Sequence, residues 1–125
     1  MTFIYPAVFH LEEGTYWVEF PDLPGCFSAG DTPEDAMTNA QEALALYLEP
    51  GDDAVPDYPH PTDITTLAQP EAGFVSYVTS EVDLTKSGRS VKKTLTIPEW
   101  LNKKAVAQGV NFSQVLQEAL IKQCY

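Results

Sequence analysis

Acidic residues are the side chains of this sequence that could do chemistry, because carboxylates bind divalent cations and transfer protons. Glu19 and Asp22 stand near the end of one predicted strand, and Glu42 lies on a predicted helix. Several carboxylates converging on two cations could hydrolyse a phosphodiester. With sixteen acids in the first 85 residues, however, some trio can always be drawn together. The pattern therefore identifies no metal site, and we expect a protein that is not an enzyme.

Cysteines and histidines indicate no other reaction. Cys26 and Cys124 are far apart in sequence and have neither the spacing of a metal site nor that of a disulfide framework. Cys26 follows Gly25 in a turn, with no histidine close in sequence, and is interpreted as a packed cysteine. His10 and His60 are too few for a histidine-based metal site. We expect neither a metal nor a cofactor.

Charge is divided unequally along the chain. All seven Lys and Arg residues lie at or after Lys86, with only two of the eighteen acids, so residues 86–125 carry a formal +5. Residues 1–85 carry sixteen acids and no Lys or Arg, a formal −16. A basic segment can neutralise phosphates, whereas an acidic one repels them and suits a basic partner. The division predicts two parts with different partners.

A hairpin of two strands is predicted at the start of the chain. Residues 2–11 alternate between two faces that are both mostly apolar, and Pro6 favours an edge position or a bulge. Glu12-Glu13-Gly14 has the composition of a turn, and residues 15–20 alternate again. The two strands should pair antiparallel.

Further elements complete the first part. Residues 26–29 are predicted to form a short third strand. Thr32 has the position of a helix cap before Pro33, and the helix should run to about Leu48. An irregular loop over 49–73, with a helical turn near 62–67, precedes a strand over 74–84. A polar hinge follows at 85–90.

These elements contain a family pattern: Phe-Pro-Asp-Leu-Pro-Gly-Cys over 20–26, Gly-Asp-Thr over 30–32, Asn39-Ala40 and Glu42-Ala43-Leu44. It resembles the N-terminal domain of HicB-type antitoxins of HicA/HicB toxin–antitoxin pairs. The resemblance implies a partial ribonuclease-H-like domain over 1–84 with the order β-β-β-α-β. It also implies a partner, a small basic RNA-cleaving HicA-type toxin with a catalytic histidine, which the antitoxin occludes. Four turn residues are candidates for that contact and equally for the alternative of holding the sheet to the helix: Phe20, Asp22, Leu23 and Pro24.

A strand and two helices are predicted over 91–125. Residues 91–97 alternate, with Lys92, Thr94 and Thr96 on one face. Pro98 can open a helix and Gly109 can end it, because glycine adopts the left-handed conformation. Asn111 has the position of a cap on a second helix.

This order resembles the ribbon-helix-helix family of DNA-binding domains. In that family two chains pair their strands, and the resulting ribbon reads bases in the major groove. The resemblance implies base contacts by Lys92, Thr94 and Thr96, and phosphate contacts by Asn111, Phe112, Ser113, Lys103 and Lys104. It also implies a homodimer or higher oligomer formed through this region, a palindromic operator and repression of the protein's own operon. The dimer should be held by Leu95, Ile97, Leu101, Val115, Leu116 and Leu120.

Taken together, the patterns predict a cytoplasmic α+β protein with a domain over 1–84, a hinge over 85–90 and a DNA-binding, dimerising domain over 91–125. No apolar run is long enough to cross a membrane. Two alternatives remain. One is a stand-alone transcription regulator whose first part senses a ligand or a protein. The other is a ribonuclease-H-type nuclease, in which Glu19 and Asp22 would be required for manganese-dependent cleavage.

Overall fold

The computed structural model describes residues 1–51, 55–86 and 88–125. The strands are β1 (Thr2–Glu12), β2 (Thr15–Glu19), β3 (Phe27–Gly30) and β4 (Gly73–Glu81). The helices are α1 (Pro33–Leu48), α2 (Glu99–Ala107) and α3 (Phe112–Cys124), with a 3-10 turn at Ile64–Thr66. The strands form one antiparallel sheet in the order β3-β2-β1-β4. The fold is therefore mixed, and the predicted β-β-β-α-β order of the first part is confirmed.

The β1–β2 hairpin turns through two residues. Glu12 pairs with Thr15, and the residues between them, Glu13 and Gly14, have φ angles of 49° and 79°. Two consecutive positive φ values match the twist of the flanking strands, and glycine adopts such an angle without a steric penalty. The hairpin predicted from the sequence is confirmed.

Pro6 stands where β1 has a neighbour on one side. It pairs with Tyr77 of β4, whereas the pairing of β1 with β2 begins at Val8. A proline has no N–H to donate, and this part of β1 needs donors toward one strand only. The first part of β1, which contains Pro6, is therefore at the edge of the sheet, as predicted. From Val8 onward β1 is a central strand.

The third strand begins one residue later than predicted. The N–H of Cys26 donates to the carbonyl of Leu23 at 3.0 Å, so Cys26 belongs to the preceding turn. The following helix starts as predicted, since the Thr32 hydroxyl accepts the N–H of Asp35 at 3.1 Å and Pro33 occupies the first turn. Thr32 thereby satisfies a backbone donor that the helix cannot pair itself.

The hydrophobic core lies between α1 and one face of the sheet. Odd-numbered residues of β1 point into it, and the hydroxyl of Ser80 on β4 donates to the Gln41 carbonyl of α1 at 2.7 Å. The buried side chains come from the strands, the turn before β3, the helix and the end of β4: Phe3, Tyr5, Ala7, Phe9, Val18, Phe20, Leu23, Cys26, Ala36, Ala40, Leu44, Leu48, Val78 and Val82. Even-numbered residues of β1 consequently lie on the opposite face of the sheet.

The loop after α1 is tied to the core by side-chain hydrogen bonds. Tyr58 donates to the Leu48 carbonyl at 3.0 Å, and Tyr5 donates to the Pro59 carbonyl at 2.6 Å. The predicted helical turn is present as the 3-10 turn. Residues 52–54 of this loop lie outside the described residues.

Residues 85–125 have few contacts with residues 1–84, which we call the body. β4 ends at Glu81 and not at Leu84, and Ser87 of the predicted hinge lies outside the described residues. Residues 89–98 have no regular secondary structure, so the strand predicted over 91–97 is absent from the single chain. A ribbon strand obtains its hydrogen bonds from a second chain, and the single chain contains no such partner. No described helix is long and apolar enough to cross a membrane.

Candidate partner-binding surfaces

The turn between β2 and β3 is an internal brace. Phe20 and Leu23 are 3% and 1% exposed and belong to the hydrophobic core. Asp22 accepts the N–H of Thr62 at 2.9 Å and also the Thr62 hydroxyl. Pro24 is exposed, and its carbonyl accepts the Tyr47 hydroxyl at 2.8 Å. Phe20 and Leu23 are therefore not exposed for a partner, and their burial in the core fits the alternative in which this turn holds the sheet to the helix.

Replacing Asp22 with alanine is expected to destabilise the fold by about 1–3 kcal/mol, because two donors of Thr62 lose their charged acceptor. The loss should appear as a lower midpoint in urea unfolding followed by circular dichroism. Asp57→Ala is the matched control, since Asp57 is an exposed aspartate of the loop that contains Thr62. Equal stability of the two variants would show that this brace contributes nothing.

The acids singled out from the sequence do not converge. Glu19 is on the sheet face opposite the core, whereas Glu42 is exposed on α1, which covers the core face. Asp22 is engaged with Thr62. Within residues 1–51, 55–86 and 88–125, no three His, Cys, Asp or Glu side chains are placed to hold a metal ion. Burial raises the pKa of the Cys26 thiol, which lowers its thiolate fraction and suits a packed cysteine better than a nucleophile.

The sheet face opposite α1 has apolar side chains at its centre, and α2 and α3 make at most marginal contact with the strands. We call this face the open face. Directly paired residues of neighbouring strands lie on the same face of a sheet, so the strand register shows which residues belong to the open face. Its apolar and aromatic members come from all four strands, and among them Pro6 and Val8 are buried whereas the others are half-buried or exposed: Ile4, Pro6, Val8, Trp17, Phe27, Val75 and Tyr77. Ile4, Phe27 and Tyr77 are 45%, 61% and 42% exposed, respectively.

Trp17 is held in place on the open face by His10. The two rings stack with centroids 4.0 Å apart and planes 11° from parallel. Nε2 of His10 lies 3.0 Å from Oε1 of Glu19, which fixes the imidazole from its other end. The cross-strand pairs His10–Trp17 and Val8–Glu19 set this arrangement. The open face thus presents an ordered aromatic side chain beside a carboxylate.

Carboxylates border the open face. Glu12 is paired with Thr15, and Glu81 is paired with Thr2, and the strand register places both pairs on this face. The hydroxyl of Thr2 donates to Glu81, and that bond, followed by the N-terminal ammonium, lowers the pKa of the Glu81 carboxyl. Glu81 therefore stays ionised to a lower pH than an ordinary glutamate.

Sequence reasoning did not select the open face as a functional surface. The signal for it lies in residues 2–11, whose two faces are both mostly apolar. One helix can cover only one face of a sheet, so a second apolar face needs another partner.

The residues predicted to contact DNA lie in exposed parts of the C-terminal region. Lys92, Thr94 and Thr96 are exposed within the segment 89–98. Lys103 and Lys104 are exposed on α2, and Lys103 Nζ lies 3.4 Å from Oε1 of Glu99. Phosphates could replace that exposed ion pair at little cost.

The connection between α2 and α3 has the predicted geometry. Gly109 has a φ of 69°, in the left-handed region, directly after α2. The Asn111 side chain accepts the N–H of Gln114 at 3.1 Å and caps α3. Phe112 and Ser113, which follow the cap, are exposed. Both predicted helix boundaries are confirmed.

An unpaired apolar surface runs along the C-terminal region. Neither α2 nor α3 contains a buried residue. Of the six residues predicted to hold a dimer, Leu116 is half-buried. The other five are exposed: Leu95, Ile97, Leu101, Val115 and Leu120. Leaving these side chains in water is unfavourable, so the surface favours association.

The end of α3 contacts the body. The Tyr125 hydroxyl donates to the Pro56 carbonyl at 2.6 Å, and its ring centroid lies 5.6 Å from that of Tyr58. Burial raises the pKa of the Tyr58 hydroxyl, with smaller contributions from Tyr125 and Tyr5. A cavity of about 860 Å³ separates the rest of α3 from the start of β1 and the end of β4.

The structure is that of a small protein of mixed helices and antiparallel strands, with an acidic sheet-and-helix body and a basic helical end. The family model of HicB-like antitoxins of bacterial toxin–antitoxin systems matches residues 5–119. The chain belongs to this family.

Individual relatives agree with this assignment. The chain is 36% identical over 100 residues to an uncharacterised 14.9 kDa protein of Haemophilus phage HP1, covering 78% of this chain and 75% of the phage protein. It is 44% identical over 46 residues to antitoxin HicB 1 of Photorhabdus laumondii, covering 36% of this chain and 30% of that protein.

Solved structures share the whole fold. A chain of a toxin–antitoxin complex from Streptococcus pneumoniae is 28% identical, with a TM-score of 0.55 over 98% of this chain and 99% of that one. The antitoxin HicB of Burkholderia pseudomallei has a TM-score of 0.53 over 98% of this chain and 99% of its own, at 23% identity, and supports the fold alone.

Proposed function

We propose that this antitoxin binds a small basic RNA-cleaving toxin of the HicA type and occludes it. The observation that carries the proposal is the match of residues 5–119 to the HicB-like antitoxin family. The likeness along nearly the full chain to a protein from a toxin–antitoxin complex supports it. The acidic body, with sixteen acids and no Lys or Arg in residues 1–85, supplies the electrostatic complement of a basic partner.

Inhibition in this proposal is steric. An RNA-cleaving protein binds its substrate through a basic surface, and an acidic protein on that surface excludes RNA. Opposite charges also speed the encounter, so that the toxin is captured soon after it is made. No step requires catalysis by this chain. The complex forms in the cytoplasm, where the toxin meets its RNA.

Stoichiometric inhibition is the test of this function. The HicA-type toxin encoded beside the gene is incubated with RNA and increasing amounts of this protein. RNA cleavage should stop when one antitoxin chain is present per toxin chain. Unchanged cleavage, or the absence of a toxin-like reading frame beside the gene, would favour a stand-alone regulator.

The second proposed activity is repression of the operon by a dimer that binds DNA through a C-terminal ribbon-helix-helix domain. Seven basic residues and two acids in residues 86–125 support an interaction with phosphates. Lys92, Thr94 and Thr96 would read bases from the ribbon. The N–H groups at the start of α3, at Asn111, Phe112 and Ser113, would hold the phosphate backbone.

The unpaired apolar surface of the C-terminal region supports dimer formation in this proposal. About 35 residues cannot bury a sufficient core alone, and a second copy would supply the missing contacts. The segment 91–97 would then pair with its copy as a two-stranded ribbon. Two-fold symmetry predicts a palindromic operator.

Replacing Lys104 with alanine is expected to weaken operator binding about equally for all sequences. It should also reduce the slope of log association constant against log salt by about 1 per lost phosphate contact, hence about 2 per dimer. Mobility-shift assays over a range of salt concentrations measure the slope. Lys122→Ala on α3 is the control, because Lys122 faces the cavity beside the body. An unchanged slope for Lys104→Ala would remove this residue from the DNA interface.

A further inference from the structure

The open face combines the properties of a recognition surface. Each strand contributes at least one large side chain, and Phe27 and Tyr77 stand well clear of the sheet at 61% and 42% exposure. α1 and the core occupy the opposite face. A contiguous apolar patch of this kind, bordered by polar residues, is typical of an interface.

Charge selects the kind of partner. Glu12, Glu19 and Glu81 lie on the open face or at its ends by strand register, and residues 1–85 contain no Lys or Arg. A second copy of this face would bring like charges together, which opposes self-association. A surface with apolar side chains at its centre and Lys or Arg around them would satisfy both parts of the open face.

Order in the free protein adds to this fit. The Trp17 ring is stacked on His10, and His10 is hydrogen-bonded to Glu19. Anchors that are already held in position lose little conformational entropy when a partner binds. Aromatic side chains in such positions supply much of the binding energy of protein interfaces.

We infer that the open face is the surface on which the basic toxin docks, with Phe27, Trp17 and Tyr77 as its apolar anchors and Glu19 among its acidic contacts. This inference rests on the proposed antitoxin function and assigns a place to it. The β2–β3 turn selected from the sequence is then a support for the body and not the contact itself.

Charge substitutions on the two sides of the body test the assignment. The full-length chain is titrated with the purified HicA-type toxin, whose catalytic histidine is replaced by alanine, and the dissociation constant is measured by calorimetry. Phe27→Arg and Tyr77→Arg should each weaken binding by about 30-fold or more, as expected for interface anchors. Leu46→Arg is the matched control on α1, since Leu46 is 72% exposed on the other side of the body, and should change binding less than about 3-fold.

Trp17 provides a second readout. In a Trp100→Phe background its fluorescence should change when the toxin binds, because the ring would leave water. Circular dichroism and urea unfolding establish that every variant is folded. Tyr77→Phe, which keeps the ring, should retain binding.

The outcomes separate the inference from the function on which it rests. If the wild-type chain does not bind the toxin, the proposed antitoxin function and this assignment both fail. If the wild-type chain and the Phe27→Arg and Tyr77→Arg variants bind equally well, only the assignment of the open face fails. It also fails if these variants lower the oligomeric state in sedimentation without affecting toxin binding, because the open face would then join copies of this chain.

Discussion

Replacing Phe9 with alanine is expected to lower the free energy of unfolding by about 3–5 kcal/mol. Phe9 is fully buried at the centre of the sheet, and its ring is stacked on Phe74 of β4 with centroids 4.6 Å apart. Truncation leaves a cavity between β1, β4 and α1 and removes that aromatic contact. Because a domain of this size is only marginally stable, the variant should be largely unfolded at moderate urea concentrations.

Phe27→Ala is the control for this effect. It makes the same substitution at an exposed ring on β3, and the expected loss of stability is below about 1 kcal/mol. Both variants are compared by urea unfolding with circular dichroism. Similar unfolding midpoints for the two would contradict the assignment of the core to the α1 side of the sheet.

The other large effect concerns DNA. A chain ending at Asp83 is expected to lose specific binding to the DNA upstream of its gene, a decrease of about 1000-fold or more. All clustered core residues lie between Phe3 and Val82, so this shortened chain keeps its core and should unfold cooperatively. It should also still bind the toxin, because the open face is intact. Mobility-shift assays with operator and unrelated DNA measure the loss.

Two results would contradict the DNA proposal. Specific binding by the shortened chain would move DNA recognition into the acidic body. Absence of specific binding by the full-length chain would leave the C-terminal region as a dimerisation element. A full-length Lys92→Ala, Thr94→Ala double variant separates base reading from dimer formation, since it should dimerise normally and lose sequence preference.

Local chemistry explains which elements could be predicted from the sequence. The hairpin at Glu13-Gly14, the Thr32 and Asn111 caps and the left-handed Gly109 depend on residues within a few positions of each other. Short-range hydrogen bonds and backbone preferences determine such features. The sequence predicted these features at the correct residues. The predicted bounds of the third strand were displaced by one residue, and the predicted end of the fourth strand was three residues too late.

Long-range contacts account for what was missed. Asp22 meets Thr62 across 40 positions, and Tyr125 meets Pro56 across 69. No local pattern reveals such partners, so the sequence leaves two roles open for the β2–β3 turn, a partner contact and a support between sheet and helix. The open face could not be predicted for a related reason, since the register of four strands determines which residues lie on it.

The exposed segment over 89–98 has a consequence for the lifetime of the protein. A protease must draw several residues of extended chain into its cleft, and this segment offers them with Lys92 and Lys93 as exposed side chains. Pairing as a ribbon in the proposed dimer would withdraw the same residues from attack. Scarce antitoxin, mostly unpaired, would then be destroyed faster than abundant antitoxin. When the antitoxin concentration falls, proteolysis would therefore lower it further. The toxin would then be released sooner than by dilution of the antitoxin alone.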